Sequence, residues 1–428
     1  MCWWNFNAKI ESDRSEVKKK KKFVKSALPF RLVNLETVDR RYGGRRRPRI
    51  DPYDVLRDSG ELVEWRCVPV GSTVIYISHE WTGTGCPDHD GTQWCHLLQM
   101  LKRLRGGEIS RTDMDPMHSL IYKHNKTTTA DEWKRMLDPE KTFLWYDGFC
   151  VPRSRREDCF RSIPAYIQLC DFMIVLAPGC THFDRINPRT QRKMNLCYRT
   201  YRIRAHCVFE LFCVFLTTRG RETTRPALLV RSGTGTPNWI SPLECQKLAV
   251  GTSTFECCET NHTTIKQCLK SVVQVLLEKM IKERTENLFK FQEFALARFH
   301  RTLSVWWLRG FSFHKSSPDS VSSSKLFRQH LHWENVEDGM WFDRCGISIF
   351  SYVVVNNNIL VLRELLNELE TNEHSLRAKR LRGEVPAQGL TSLGLTGKVT
   401  TLMLAMGLGS TDVVSLLLEQ GADPYVRY

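Results

Sequence analysis

The sequence predicts an α/β fold, an open parallel sheet covered by helices on both faces, followed by an all-helical segment. Three observations carry this. Four apolar, β-branched runs alternate with helix-period stretches between Thr73 and Val230. Glycines and prolines punctuate the joins between them. Beyond Gly346 the apolar positions recur at helical spacing in two short blocks.

At 428 residues the chain has room for two or three domains, and 42% hydrophobic residues are enough to build their cores. The net charge of +15 is unevenly placed: Met1–Arg49 holds 15 Lys and Arg against 5 Asp and Glu. The rest is only mildly basic, so no nucleic-acid footprint spreads over the folded part. Apart from the adjacent Cys257-Cys258, the 16 cysteines are scattered singly, several inside apolar runs (Cys170, Cys207, Cys213), as in a reduced intracellular protein. No apolar run has the length of a membrane span, and Met1-Cys-Trp-Trp4 lacks the order of a signal peptide. A cytoplasmic location is expected.

Residues 1–51 read as a basic, disordered tail. Lys18–Lys22 is an unbroken run, and Arg45–Arg47 with Arg49 forms a second cluster; like charges at that density keep a chain extended. Three readings compete: a solubilising leader, a nuclear-import or nucleic-acid patch, and an anchor to an anionic membrane surface. In the last, Trp3, Trp4 and Phe6 sit among headgroups, and Cys2 is a palmitoylation candidate.

The α/β domain is placed over residues 52–284. Thr73-Val-Ile-Tyr-Ile-Ser-His79 is a buried strand following Gly71. A glycine-marked loop, Glu80–Gly91, leads into a helix with Trp94, Leu97, Leu98, Leu101 and Leu104 at helical spacing, ending at Gly106-Gly107. Thr142-Phe-Leu-Trp-Tyr-Asp147 is the second strand. A helix over Arg156–Cys170 follows, with Pro164 expected to start or kink it. Asp171–Pro178 is the third strand, Arg204–Leu216 the next helix and Ala227–Val230 the fourth strand. Ligands of such sheets bind outside the carboxyl ends of the strands, which puts His79, Asp147 and the loops after them at the expected site.

Glu210 is the one carboxylate in the apolar helix, and such a charge must pair, take up a proton or face a cleft. Both a structural ion pair with a nearby arginine and a catalytic acid fit. Asp88 and Asp90 in the loop after the first strand read as a solvated turn or as sugar-hydroxyl ligands, the turn being preferred. Cys86-x-x-His89 with Cys95-His96 has metal-like residue types, but the second pair is adjacent and enters a helix, against structural zinc spacing. No metal is assigned. Ser232-Gly-Thr-Gly-Thr-Pro237 lacks the lysine of a phosphate loop and reads as a turn.

The string Ile75-Tyr-Ile-Ser-His-Glu-Trp81, the strand ending at Asp147, the strand Met173–Leu176 and Ala205-His-Cys-Val-Phe-Glu-Leu211 resemble a TIR domain. TIR domains are flavodoxin-like modules of innate-immune receptors and of many bacterial and protist proteins. Cys207, Glu210 and Leu211 match the family's Trp-Cys-x-x-Glu-Leu signature in register, with His206 in place of the Trp. Segments between Gly106 and Lys141 and between Gly179 and Arg204 are insertions relative to the family. The resemblance implies two alternatives. One is a non-catalytic module that signals by TIR–TIR association. The other is an NAD glycohydrolase or cyclase with Glu210 catalytic and Ser78, His79, Trp81 and Asp147 in the NAD pocket.

Thr263 to Trp307 carries a long helical pattern; residues 285–340 are placed as a helical connector and Ser-rich linker. Residues 341–428 bring a second resemblance. Thr400-Thr-Leu-Met-Leu-Ala405, Val413-Val414, Leu417-Leu418 and Gly421-Ala-Asp-Pro424 resemble an ankyrin repeat. Gly346–Val353 with Val361, Leu362, Leu365 and Leu366 fits the same template, offset by an insertion of about 19 residues around Arg377–Arg382. About two repeats are visible where about three are needed for stability, which leaves a truncated array or docking onto the preceding helices. The expected whole is a signalling scaffold. Its partners are a protein on the ankyrin segment, a second copy through the TIR-like domain, and nucleic acid or anionic membrane on Lys18–Lys22 and Arg45–Arg49.

Overall fold

The computed structural model describes residues 26–44, 49–122, 125–187, 189–216, 226–241, 250–253, 269–273, 323–331, 348–370, 400–408 and 410–425. They fall into two compact units, divided at the 269–270 step apart from the short stretches 121–123 and 243–252.

The first unit is built on a seven-stranded mixed sheet. Its strands are β1 (Arg31–Asn34), β2 (Leu62–Glu64), β3 (Thr73–His79), β6 (Thr142–Trp145), β7 (Phe172–Leu176), β10 (Ala227–Val230) and β11 (Asn238–Ile240). Two antiparallel ribbons lie outside the sheet: β4 (Arg111–Asp113) with β5 (Thr127–Thr129), and β8 (Cys180–Ile186) with β9 (Lys193–Leu196). They are the segments expected as insertions. The sheet order is β11-β10-β7-β3-β6-β1-β2. The four predicted strands form the parallel centre, in the order second, first, third, fourth.

The expectation of a wholly parallel sheet is corrected at both edges. β11 returns antiparallel to β10 through the Ser232–Pro237 turn, because so short a connection joins only antiparallel strands. Arg103 ties that turn down by donating to the carbonyls of Gly233 and Gly235, at 3.0 and 2.7 Å. At the other edge β1 pairs antiparallel with β6, and β2 with β1.

This corrects the expected 1–51 tail as well. Leu32, Val33, Leu35, Val38 and Tyr42 are all buried, and Phe30 stacks on Tyr166 with ring centroids 4.5 Å apart. Apolar alternation within 28–42 therefore outweighs the flanking basic clusters, and the sheet unit begins well before residue 52. Lys18–Lys22, Arg45–Arg47 and the residues near Trp3 lie outside the described residues.

Period-2 alternation sends Tyr76 and Ser78 to one face of the sheet and Ile75, Ile77 and His79 to the other. Helices α1 (Leu35–Tyr42), α2 (Thr92–Gly106) and α3 (Ala130–Met136) cover the second face: Trp94 meets Tyr42 and Tyr146, and Trp133 meets Phe172. Helices α4 (Arg156–Leu169) and α5 (Ala205–Leu216) cover the first, where Tyr166 lies against Trp145 and Glu210 against Tyr76. α2 ends where expected, with Gly107 at φ 76° as its left-handed cap. Pro164 lies inside α4 instead of starting it.

In the second unit, α6 (Ser324–His330) precedes two helix pairs, α7 (Ile349–Val355) with α8 (Ile359–Glu370) and α9 (Thr401–Leu408) with α10 (Thr411–Glu419). α7 packs on both α8 and α9, and α9 packs on α10. Equivalent hydroxyls open the two pairs: Ser348 Oγ accepts from Phe350 N at 3.2 Å and Thr400 Oγ1 from Met403 N at 3.1 Å. Val353, Val361, Leu365, Val413 and Leu417 are fully buried between the helices. α6 joins this unit through Ser324 and Arg328, which bond Glu364 and Glu368 of α8. The basic stretch at Arg377–Arg382 and most of the Thr263–Trp307 pattern lie outside the described residues. Among those residues no helix is long and apolar enough to cross a membrane.

Candidate functional site

A cavity of about 310 Å³ opens at the carboxyl edge of the parallel strands. Glu210, His79, Asp147 and Trp81 all line it, so four of the five predicted site residues converge there. The fifth, Ser78, does not: it is buried behind Glu210. Strand alternation explains the difference, because Ser78 points under α5 while the chain after it turns outward at the sheet edge.

Glu210 is half-buried on α5. Tyr76 Oη donates to its Oε1 at 2.7 Å, and the Ser78 hydroxyl donates to Oε2. Ser78 Oγ also meets Tyr201 Oη at 2.5 Å. No lysine or arginine pairs with Glu210 among the described residues. Burial raises its pKa and the two hydroxyl donors pull it back only in part, leaving it at about 7. The carboxyl therefore exchanges its proton in the neutral range, where a catalytic carboxylate is most adjustable.

Beside it, His79 is clamped between Gln93 Oε1 and Asp147 Oδ1, both at 2.8 Å. The Gln93 amide nitrogen is committed to the Glu80 carbonyl at 2.7 Å, so its oxygen faces the ring. Both ring nitrogens thus meet oxygens, an arrangement that favours the protonated ring. Burial opposes that charge, but Asp147 outweighs it and holds the His79 pKa above its ordinary value. Asp147 is half-buried; desolvation pushes its pKa up, but the His79 charge and the bonds from His79 and Trp81 outweigh this and bring it below the usual range. Trp81 Nε1 donates to Asp147 Oδ2 at 2.6 Å, and Arg156 covers one face of the indole at 4.3 Å. One ring face of Trp81 is thereby taken by a cation of the same chain.

The preferred reading of Asp88 as a solvated turn is corrected. It is 5% exposed, lines the cavity and caps α2 by accepting from Trp94 N at 2.8 Å, while its Oδ1 has no hydrogen-bond partner. Burial raises its pKa. Asp90 is the exposed one and accepts from Thr92 N. Cys86 and His89 line the mouth, whereas His96 accepts from Gly233 N at 3.0 Å, away from that pair. His206, in the signature position, stacks on Phe160 at 4.5 Å, and Cys207 Sγ reaches the His79 carbonyl.

Several contributors were not singled out in the sequence. Glu80 and Arg204 form a buried pair at 2.8 Å that Thr200 supports, tying the segment before α5 to the end of β3. Tyr76 read only as a strand residue, and Gln93 as the polar side of a helix. Nothing local marks them: Tyr76, Glu80 and Arg204 have partners more than a hundred positions away, and Gln93 reaches His79 across the loop between β3 and α2. Arg49, Arg153 and Arg156 complete the cavity wall. Comparison with protein-family models, curated proteins and solved structures finds no match.

Proposed function

We propose that the first unit is a TIR-type domain that cleaves the nicotinamide N-glycosidic bond of NAD, with Glu210 as the catalytic carboxylate. The observation that carries this reading is the setting of Glu210: in the cavity beside His79 and Asp147, held by two hydroxyls, with no cationic side chain bound to it among the described residues. A structural ion pair, the other reading of that residue, calls for an arginine there. The second-first-third-fourth order of the parallel strands agrees with the flavodoxin-like sheet that the TIR resemblance implies.

The chemistry follows from charge. As the bond from ribose C1′ to the ring nitrogen breaks, its electron pair goes to nicotinamide and C1′ becomes oxocarbenium-like. An ionised Glu210 beside C1′ stabilises that charge; water then adds to C1′ and loses a proton. Tyr76 and Ser78 hold the carboxylate in place, and the His79–Asp147 pair closes the adjoining wall without adding net charge.

The second unit is proposed to be an ankyrin-type stack that selects a protein partner, on the support of its two hydroxyl-capped helix pairs and the Gly421–Pro424 turn, where Gly421 has φ 84°. Nicotinamide release from NAD by the purified full chain, at concentrations that allow self-association, tests the catalytic reading. The parent is expected to release it, and Glu210→Gln to lose at least about 100-fold. A folded, self-associated parent that releases none favours the non-catalytic assembly module, the reading to which His206 in the signature position points.

A further inference from the structure

The two antiparallel ribbons outside the sheet are finished differently. β4–β5 is bound down along its length: Thr112 accepts from Trp133 Nε1 at 2.9 Å and Thr128 from Trp239 Nε1 at 3.1 Å. Its Arg111 is paired with Asp113 at 2.6 Å. β8–β9 is anchored at its base, where His182 and Leu196 are buried. Farther out, Phe183 and Ile186 are 51% and 61% exposed. Large apolar side chains exposed side by side mark a surface that something else covers.

These two residues sit among cations. The register pairs Ile186 with Lys193 across the ribbon, and Lys193 Nζ lies 4.7 Å from the Phe183 ring centre. Arg189 and Arg192, between the two strands, are exposed. The turn there has a defined shape: Asn187 N donates to the Arg192 carbonyl at 2.7 Å, Asn187 Oδ1 accepts from Arg189 N at 2.9 Å, and Gln191 takes φ 54°. Arg189, Arg192 and Lys193 make no ion pair among the described residues. From Cys180 to Ile203 the sequence holds six Lys and Arg against one acid, Asp184, and that carboxylate is engaged by Thr84 N at 2.6 Å.

We infer that the β8–β9 ribbon, through Phe183, Ile186, Arg189, Arg192 and Lys193, is a docking surface for an anionic lipid bilayer. The cations complement acidic headgroups, and the two apolar side chains between them are suited to enter the headgroup–acyl boundary. A nucleic acid would use the charge and leave both apolar side chains in water. Ile186 offers no ring for a base to stack on. The Phe183 ring has Lys193 over one face and His89 against it at 3.7 Å, so it is no stacking platform either. His89 lines the cavity mouth, so a docked ribbon brings that mouth to the lipid surface. Docking of this kind requires no cleavage chemistry.

The test is co-sedimentation of the full chain with vesicles of phosphatidylcholine alone and of phosphatidylcholine mixed with phosphatidylserine. Lys18 to Lys22 are all changed to Gln in every sample, which removes the contribution of that run. This background chain is expected to prefer the anionic vesicles. Arg189→Gln/Arg192→Gln/Lys193→Gln is expected to weaken its binding to them at least about tenfold, with an unchanged circular dichroism spectrum. Phe183→Ser/Ile186→Ser is expected to weaken it by a similar factor, roughly tenfold. Should the change at Phe183 disturb the fold through His89, Ile186→Ser alone is expected to lose about threefold or more. A background chain without preference for anionic vesicles overturns the inference, as does a triple variant that binds like the background. Apolar variants that bind unchanged also overturn it, and competition by a single-stranded oligonucleotide would then identify the surface as a nucleic-acid site.

Discussion

Tyr76, on the first parallel strand, donates its hydroxyl to Glu210 on α5 across 2.7 Å, and the same ring stacks on Trp145 at 4.3 Å. The stacking fixes the ring and the ring fixes the carboxylate, so the geometry of Glu210 is inherited from the strand register. That register pairs Tyr76 with Trp145 directly across the β3–β6 ladder.

Removing the donor while keeping the ring isolates its electrostatic role. In Tyr76→Phe one of the two bonds that favour the ionised form is lost, so the Glu210 pKa rises further. The pH profile of kcat/KM for nicotinamide release is expected to move about 0.5–1 unit to the alkaline side. An unmoved profile with a lower plateau would mean that Tyr76 acts only as packing.

The parent profile has its own sign. The electrostatic role requires the ionised carboxyl, so activity rises with pH through a midpoint near 7. Stability runs the opposite way. The folded state holds the Glu210 proton more tightly than the unfolded chain does, so this group's contribution falls as pH rises from about 4.5 to about 7. Glu210→Gln removes the titration. Urea unfolding is expected to show equal stabilities at pH 4 and a variant more stable by roughly 1–3 kcal/mol at pH 8, discounted for partial exposure.

Arg204 and Glu80 are 4% and 3% exposed, so breaking their pair strands a buried charge. Arg204→Ala is expected to cost about 3–5 kcal/mol in urea unfolding. Replacing both by methionine should cost much less, because no ion is then left in the interior.

Gly148 follows Asp147 outside the left-handed region, so what constrains it is space. A β-carbon there would lie 2.5 Å from Tyr146 Cε1 and 3.2 Å from Pro87 Cγ. Tyr146 stacks on His79 at 4.5 Å, so the intrusion is transmitted to the clamped imidazole ring. Gly148→Ala is expected to destabilise by about 1–3 kcal/mol, read from thermal unfolding, and to lower the rate of nicotinamide release.

In the second unit, Leu417 is fully buried and its neighbour Leu418 is 43% exposed. Leu417→Ala is expected to cost about 2–5 kcal/mol and Leu418→Ala less than about 0.5. Equal effects would contradict the face that α10 presents to α9.

The elements legible in the sequence are those whose signals are local. β3 was readable from seven residues ending at His79, and α2 from its apolar spacing and the glycine pair that stops it. Glu210 was readable because a lone carboxylate in an apolar helix is costly wherever the helix packs. β1 was not, because its apolar alternation sits among basic residues that dominate composition and because its partners, Phe143 and Leu144, lie about a hundred positions away. Asp88 was misread for the same reason: whether a loop carboxylate is solvated depends on what the fold brings over it.

The sequence by itself determined a helix-flanked α/β sheet with His79 and Asp147 at the carboxyl edge of its strands. Only the tertiary structure decided that Glu210 takes hydroxyl partners instead of an arginine, that His79 is clamped between Gln93 and Asp147, and that Arg49, Arg153 and Arg156 share its cavity. Periodicity and turn chemistry act over a few residues and survive in any context. Protonation and partner choice depend on desolvation and on distances set by side chains from four separate segments, which no local pattern encodes.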